Sequence, residues 1–352
     1  MNTPDTPENI SKEWLTHSLG IDQLRRGAVV SSFRIEAVGT ETGWVGTIAC
    51  IHLSYSTHVE SAPASVIIKI SPSGTEDPFG SFEGFFYTDI ANGRNFSVPG
   101  CYYGFNDVEA GRSVLLLEDL SHLSTVDFIG GCSPDDAELA VVALADIHAY
   151  WWNDPSIAAM QGLVSFETSL FDTWWAEYES SIRALLPDVV LSKRMMQFGD
   201  VFSSDPLAMA RRIESTPTTI VHRDVHVDNL LFDRVETKHR AVIVDWQTVG
   251  AAKGVSDVAY LLISSLSPTD RLVAERRLVE TYHNRLMNLG IDGYTLEECW
   301  TDYVVSVASK LFITVAATTK LDNDTPRRRA WRTKDLERLT AFFRDHDPIT
   351  HL

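Results

Sequence analysis

His222, Asp224 and Asn229 stand in the order His-x-Asp-x-x-x-x-Asn, and sixteen residues after Asn229 a further carboxylate, Asp245, lies in the run Val242-Ile243-Val244-Asp245-Trp246. Each loop follows a short apolar run, Thr219-Ile220-Val221 before the first and Ala241-Val242-Ile243-Val244 before the second, which suits two loops launched from strands towards one cleft. These residue types suit metal-assisted phosphoryl transfer, a reaction that asks a protein mainly to align the nucleophile and neutralise the triphosphate. A carboxylate within reach of an acceptor hydroxyl orients it and takes its proton, the role expected of Asp224. The amide oxygen of Asn229 and the carboxylate of Asp245 are hard ligands of the kind Mg²⁺ prefers.

Upstream, Lys69 interrupts the apolar run Val66-Ile67-Ile68-Lys69-Ile70. An ammonium there either points to solvent from an edge strand or meets an anion, because burying it alone is costly. With a metal loop downstream the anion is expected to be phosphate. Its expected partner is Glu83, on a helix that also carries Phe82, Phe85, Phe86 and Ile90, in preference to Glu76 in the loop before Pro78. Gly39, Gly43 and Gly46 lie among threonines between two strand-like runs. Gly43 and Gly46 are candidates for bringing backbone N–H groups to the nucleotide, with an ordinary β-turn as the plainer reading.

The elements around these residues read as two kinds of chain. From Ser32 to Leu117, β-branched and aromatic runs alternate with turn signals and one helix near Phe82–Ile90. From Ser133 onward the pattern is helical: Ser133-Pro134-Asp135-Asp136 and Ser267-Pro268-Thr269-Asp270 are helix starts, and helices are expected over 166–186, 296–319 and 333–344. The expected fold is α+β and bilobal: a β-rich N-terminal lobe over 1–117, a hinge at 118–120, and a mainly helical lobe over 121–352 carrying catalysis and acceptor binding.

Composition narrows the partners. A formal charge of −18 makes nucleic acid a poor partner, no apolar run approaches the roughly 20 residues of a membrane helix, and residues 1–20 lack the pattern of a signal peptide. A cytoplasmic protein without a protein partner is expected. Cys50, Cys101, Cys132 and Cys299 are scattered without metal-binding spacing and read as free thiols. Only eleven residues separate Asp245 from Asp257, after which an apolar helix begins, so there is no room for a peptide-docking segment and the acceptor is expected to be a small hydroxyl compound. Trp174 and Tyr178 are candidates for lining its pocket, although aromatic residues more commonly pack in cores. Asp257 reads as a helix-capping acid that would brace the loop from below, and His148 and His222 as supporting rather than reacting groups.

Lys69, Glu83, Leu144-Ala145-Asp146-Ile147-His148, His222 to Asn229, Asp245-Trp246-Gln247 and Asp257 together resemble the aminoglycoside-phosphotransferase and choline-kinase-like superfamily. The Tyr150-Trp151-Trp152 that follows His148 is closest to its ecdysteroid-kinase-like branch. The resemblance covers residues 39–262. It implies a fold related to that of protein kinases, ATP as donor with its adenine at the hinge near Glu118 and Leu120, two Mg²⁺ ions, Asp224 as base, and Asn229 and Asp245 as metal ligands. It also makes an antibiotic, a sterol or an amino alcohol a natural acceptor class, with antibiotic resistance as one role. The glycine loop is irregular, and Arg223 stands where many small-molecule kinases carry Gly. Two other readings compete: a catalytically silent kinase-like nucleotide-binding protein, and a metal-dependent phosphohydrolase using Asp224, Asp228 and Asp245.

Overall fold

The computed structural model describes residues 3–38, 47–71, 80–107, 109–164, 175, 191–235, 238–320 and 325–352. Gly39, Gly43, Gly46, Glu76, Trp174, Tyr178 and nearly all of the helix expected over 166–186 therefore lie outside the described residues. The chain forms two compact units. The first comprises 1–123 with 161–163 and 244–249, and the second comprises 124–160, 164–243 and 250–352.

The first unit is built on a five-stranded antiparallel sheet formed by β1 (Val30–Ala37), β2 (Thr47–Tyr55), β3 (Ser65–Ser71), β4 (Cys101–Asp107) and β5 (Arg112–Glu118). The order β1-β2-β3-β5-β4 makes β3 the central strand. Alternation does the sorting: Val66, Ile68 and Ile70 of β3 are buried on one face with Ile51, Val114 and Leu116. Trp14 and Leu15 of α1 (Lys12–Ser18) and Ile21 of α2 (Ile21–Leu24) belong to the same core. Lys69 therefore points to the opposite face, with Ile48 and Leu115 as its strand neighbours. An edge position, the plainer explanation of this lysine, does not apply.

On that second face lies α3 (Gly80–Phe85), which runs directly into a wider π-type turn over Phe86–Ile90, so the single regular helix expected at Phe82–Ile90 changes pitch midway. Close approach of α3 to the sheet requires Gly84, where a Cβ would lie 2.7 Å from Asn106 Oδ1 and 2.8 Å from Ser113 Cβ.

The second unit is mainly helical. Its helices are α4 (Pro134–Tyr150), α5 (Lys193–Ser204), α6 (Pro206–Glu214), α7 (Val255–Ser265), α8 (Pro268–Asn288), α9 (Leu296–Lys320) and α10 (Pro326–Asp345). Both Ser-Pro starts are real caps: the Ser133 and Ser267 hydroxyls accept the backbone N–H of Asp136 and Asp270, each at 3.1 Å. Two small antiparallel pairs interrupt the helices, β6 (Thr219–Val221) with β9 (Gly250–Ala252), and β7 (Leu230–Val235) with β8 (Lys238–Ile243). Among the described residues no helix is long and apolar enough to cross a membrane.

Candidate active site

In the first unit, Lys69 Nζ donates to both oxygens of Glu83, at 2.8 and 3.0 Å, and lies 3.4 Å from Asp245 Oδ1. The side chains of Lys69 and Glu83 are 19% and 9% exposed, while Asp245 is 33% exposed. Burial works against the ammonium, but the facing Glu83 and Asp245 carboxylates outweigh it and hold its pKa above the usual lysine range. Lys69 is thus a cation held by two anions.

Asp245 reaches this unit through its neighbour Trp246. The indole is fully buried and stacks on Phe86, with ring centroids 3.9 Å apart and planes within 4°. The segment 244–249 therefore packs with α3 and the π turn, although the strands either side of it, β8 and β9, belong to the second unit. Asp245 itself has φ +65°, a left-handed conformation in which a non-glycine residue is strained and which packing around it must hold.

In the second unit, the loop after β6 is held by Asp257 of α7. Its carboxylate accepts the backbone N–H groups of His222 at 2.6 Å and Arg223 at 2.9 Å, and lies 3.3 Å from His148 Nε2. His148 Nδ1 in turn meets the Tyr282 hydroxyl at 3.0 Å. Asp257 and His148 are fully buried. Burial opposes ionisation of Asp257, yet the hydrogen bonds and nearby histidines win and its pKa is lowered. Gly254 makes room for this arrangement, since a Cβ there would lie 2.3 Å from the Tyr282 hydroxyl. Asp257 braces the loop and does not cap its own helix, whose N-terminus has no side-chain cap.

Replacing Asp257 with Ala leaves two loop N–H groups and an imidazole without their acceptor. An expected destabilisation of about 3–5 kcal/mol follows, read as a lowered urea midpoint at unchanged slope. A midpoint equal to wild type would show that the loop stands without the brace.

Arg223 has φ +70°, a left-handed conformation that glycine adopts freely and that strains a residue with a side chain. Here the guanidinium is pinned away from the loop tip by Glu214 Oε1 at 2.9 Å and the Ala251 carbonyl at 3.0 Å. The strained turn presents Asp224. The Asp224 backbone N–H donates to His222 Nδ1 at 3.2 Å, and its carbonyl accepts Asn229 Nδ2 at 2.9 Å. Its Oδ1 accepts the Tyr260 hydroxyl at 2.7 Å and lies 3.7 Å from His226 Nε2. Burial would raise the Asp224 pKa, but His226 and Tyr260 push it down to about 2, so the group is a carboxylate at neutral pH. His226 responds in the opposite sense: burial lowers its pKa, and the Asp224 carboxylate more than restores it.

Asn229 is buried, and with Nδ2 committed to the Asp224 carbonyl its Oδ1 faces away from that bond, free to act as a ligand. Asp245 uses Oδ1 towards Lys69 and keeps Oδ2. Taken separately, the amide oxygen of Asn229 in the second unit and the carboxylate oxygen of Asp245 in the first are hard donors of the kind Mg²⁺ prefers. Among the described residues, no cluster of three or more His, Cys, Asp or Glu could hold a metal by protein ligands alone. Asp228, a ligand in the hydrolase reading, spends Oδ1 on the Phe128 N–H at 2.8 Å and lies 4.0 Å from Arg327. At the expected hinge, Glu118 Oε2 accepts the Gly100 N–H at 3.1 Å and Leu120 is buried. The role of Tyr260 escaped sequence reasoning. Its signal was a tyrosine three residues after Asp257, on the same face of an otherwise apolar helix.

Residues 82–291 match the model of the ecdysteroid kinase-like family. A comparison with curated proteins gives no match. Among solved structures, a choline kinase from Cryptosporidium parvum Iowa II is similar with a TM-score of 0.54 and 8% identity, covering 97% of this chain and 92% of that one. A choline/ethanolamine kinase family protein from Mesorhizobium loti has a TM-score of 0.51 and 15% identity, covering 96% and 97%. Wild-type aminoglycoside 2'-phosphotransferase-IIIa, solved as its GDP complex, has a TM-score of 0.52 and 12% identity, covering 95% and 99%. At such identities the likeness is one of fold.

Proposed function

The chain belongs to the ecdysteroid kinase-like family, within the aminoglycoside phosphotransferase and choline kinase superfamily, and from that premise we propose that it moves the γ-phosphoryl group of ATP to a hydroxyl of a small molecule. The observation that carries this reading is Lys69, a partly buried cation held by Glu83 and Asp245 on the face of the central strand that carries α3. A phosphohydrolase built on carboxylates alone has no use for such a group. The GDP bound to the aminoglycoside 2'-phosphotransferase of the same fold supports a purine nucleotide as donor.

In this reading Lys69 takes the α- and β-phosphates, with Glu83 fixing the ammonium. Asn229 and Asp245 would each offer an oxygen to Mg²⁺, whose charge would neutralise that of the phosphates. Glu118 and Leu120 border the adenine, and Gly43, Gly46, Trp174 and Tyr178 stay candidates for nucleotide and acceptor contacts. Asp224 orients the acceptor hydroxyl. As the bond from phosphorus to the β–γ bridging oxygen breaks and the bond to the acceptor oxygen forms, the hydroxyl proton passes to Asp224. A carboxylate of low pKa can receive it only late, once the new bond has made that proton acidic.

The test is coupled ADP formation from MgATP or MgGTP with kanamycin, choline or 20-hydroxyecdysone as acceptor, with the phosphorylated product identified by mass. Nucleotide-dependent transfer to any hydroxyl is the expected result. Phosphate release from monoesters without nucleotide would favour the hydrolase reading, and nucleotide binding without turnover the silent one.

A further inference from the structure

We propose that Tyr260 is the positioning residue of Asp224, its hydroxyl holding one carboxylate oxygen so that the other meets the acceptor. This rests on the reading of Asp224 as the base. Oδ1 receives the Tyr260 hydroxyl at 2.7 Å and has His226 Nε2 at 3.7 Å, whereas Oδ2 has no partner among the described residues. An aspartate side chain rotates readily about its last bond, and a hydrogen bond from a held hydroxyl to one oxygen, with an imidazole nearby on the same side, restrains that freedom. Tyr260, His226 and Asp224 all belong to the second unit.

Tyr260 is itself held. Its ring lies 4.8 Å from Lys310 Nζ, an ammonium that donates to Asp335 Oδ1 and Oδ2 at 2.6 and 2.7 Å. Thr314 Oγ1 adds a bond to Asp335 Oδ2 at 2.6 Å. Lys310 and Asp335 are 2% and 0% exposed at the side chain, so the pair is sealed from water. A cation against the ring face fixes the plane in which the hydroxyl points. The consequence is that α7, α9 and α10, none of which carries the His-x-Asp-x-x-x-x-Asn motif, aim its carboxylate. The hydroxyl is also a permanent donor, because burial and the Asp224 charge keep it protonated well above the usual tyrosine range.

Tyr260→Phe removes the hydroxyl and keeps the ring against Lys310. Leucine would be a poorer probe, because the ring lines a cavity of about 80 Å³ that would enlarge. The assay uses the full chain with MgATP and whichever of kanamycin, choline or 20-hydroxyecdysone supports transfer, water serving as acceptor if none does. The expected result is kcat lowered about 10- to 100-fold, the worth of a hydrogen bond to a charged group, with the KM for ATP within about twofold of wild type. In an Asp224→Asn background the same change should have no further effect on kcat, because Tyr260 acts through that carboxylate. Tyr260→Phe turnover equal to wild type overturns the proposal. So does a raised KM for ATP at unchanged kcat, or an equal loss in the Asp224→Asn background. A wild-type chain without turnover instead rejects the kinase reading, an Asp224→Asn variant as fast as wild type rejects Asp224 as the base, and in either case this inference falls with it.

Discussion

Asp224→Asn should lower the rate of phosphoryl transfer by about 10²–10⁴-fold, the usual contribution of a general base, while the chain remains folded. The substitution changes little else. The contacts that build the loop run through the Asp224 backbone, its N–H to His222 Nδ1 and its carbonyl to Asn229 Nδ2, and neither involves the carboxylate. An amide oxygen can still accept from Tyr260, as Oδ1 does at 2.7 Å. What disappears is the negative charge and the site for the proton. The measurement is kcat in the ADP-coupled assay beside a urea melt of the same preparation. A folded variant with an undiminished rate removes Asp224 from the chemistry.

Lys69→Met is expected to reduce kcat/KM by about 10²–10³-fold, comparable with removal of a preorganised electrostatic contact to a developing charge. The side chains are of similar length, so the loss is of charge. Glu83, 9% exposed, then loses the cation it shares with Asp245, and two carboxylates are left facing each other without it. Lys69→Arg should rescue poorly, because the larger planar guanidinium can pair with both Glu83 oxygens yet cannot place a compact point charge where Nζ lies between Glu83 and Asp245. Initial rates at varied ATP for the three proteins provide the check. A methionine variant as active as wild type would mean that the nucleotide is held without this cation.

Much of the local structure was legible. The alternation of Val66, Ile68 and Ile70 around Lys69 marked β3, and the serine–proline starts at Ser133 and Ser267 marked α4 and α8. Boundaries were less legible where charge hid a cap. α10 begins at Pro326 with Thr325 accepting the Arg328 N–H, seven residues before the expected start at Thr333, because the run Arg327-Arg328-Arg329 reads as solvated surface. α1, α5 and α6 went unread although Ser11, Ser192 and Asp205 cap them, since each is short and its apolar positions few. β9 is three residues long and exists only because β6 pairs with it.

By itself the sequence determined the two loops, their spacing, the apolar runs that launch them and the need of Lys69 for an anion, because these follow from residue type and backbone period over a few neighbours. Tertiary structure alone decided that Asp245, 176 positions after Lys69, joins Glu83 there, that Asp257 serves the loop and not its own helix, and that Tyr260 rests on a buried Lys310–Asp335 pair. The reason is physical. Periodicity specifies which face of an element is buried, whereas the partner of a buried polar group is selected by which distant elements pack against that face, and no local pattern records it.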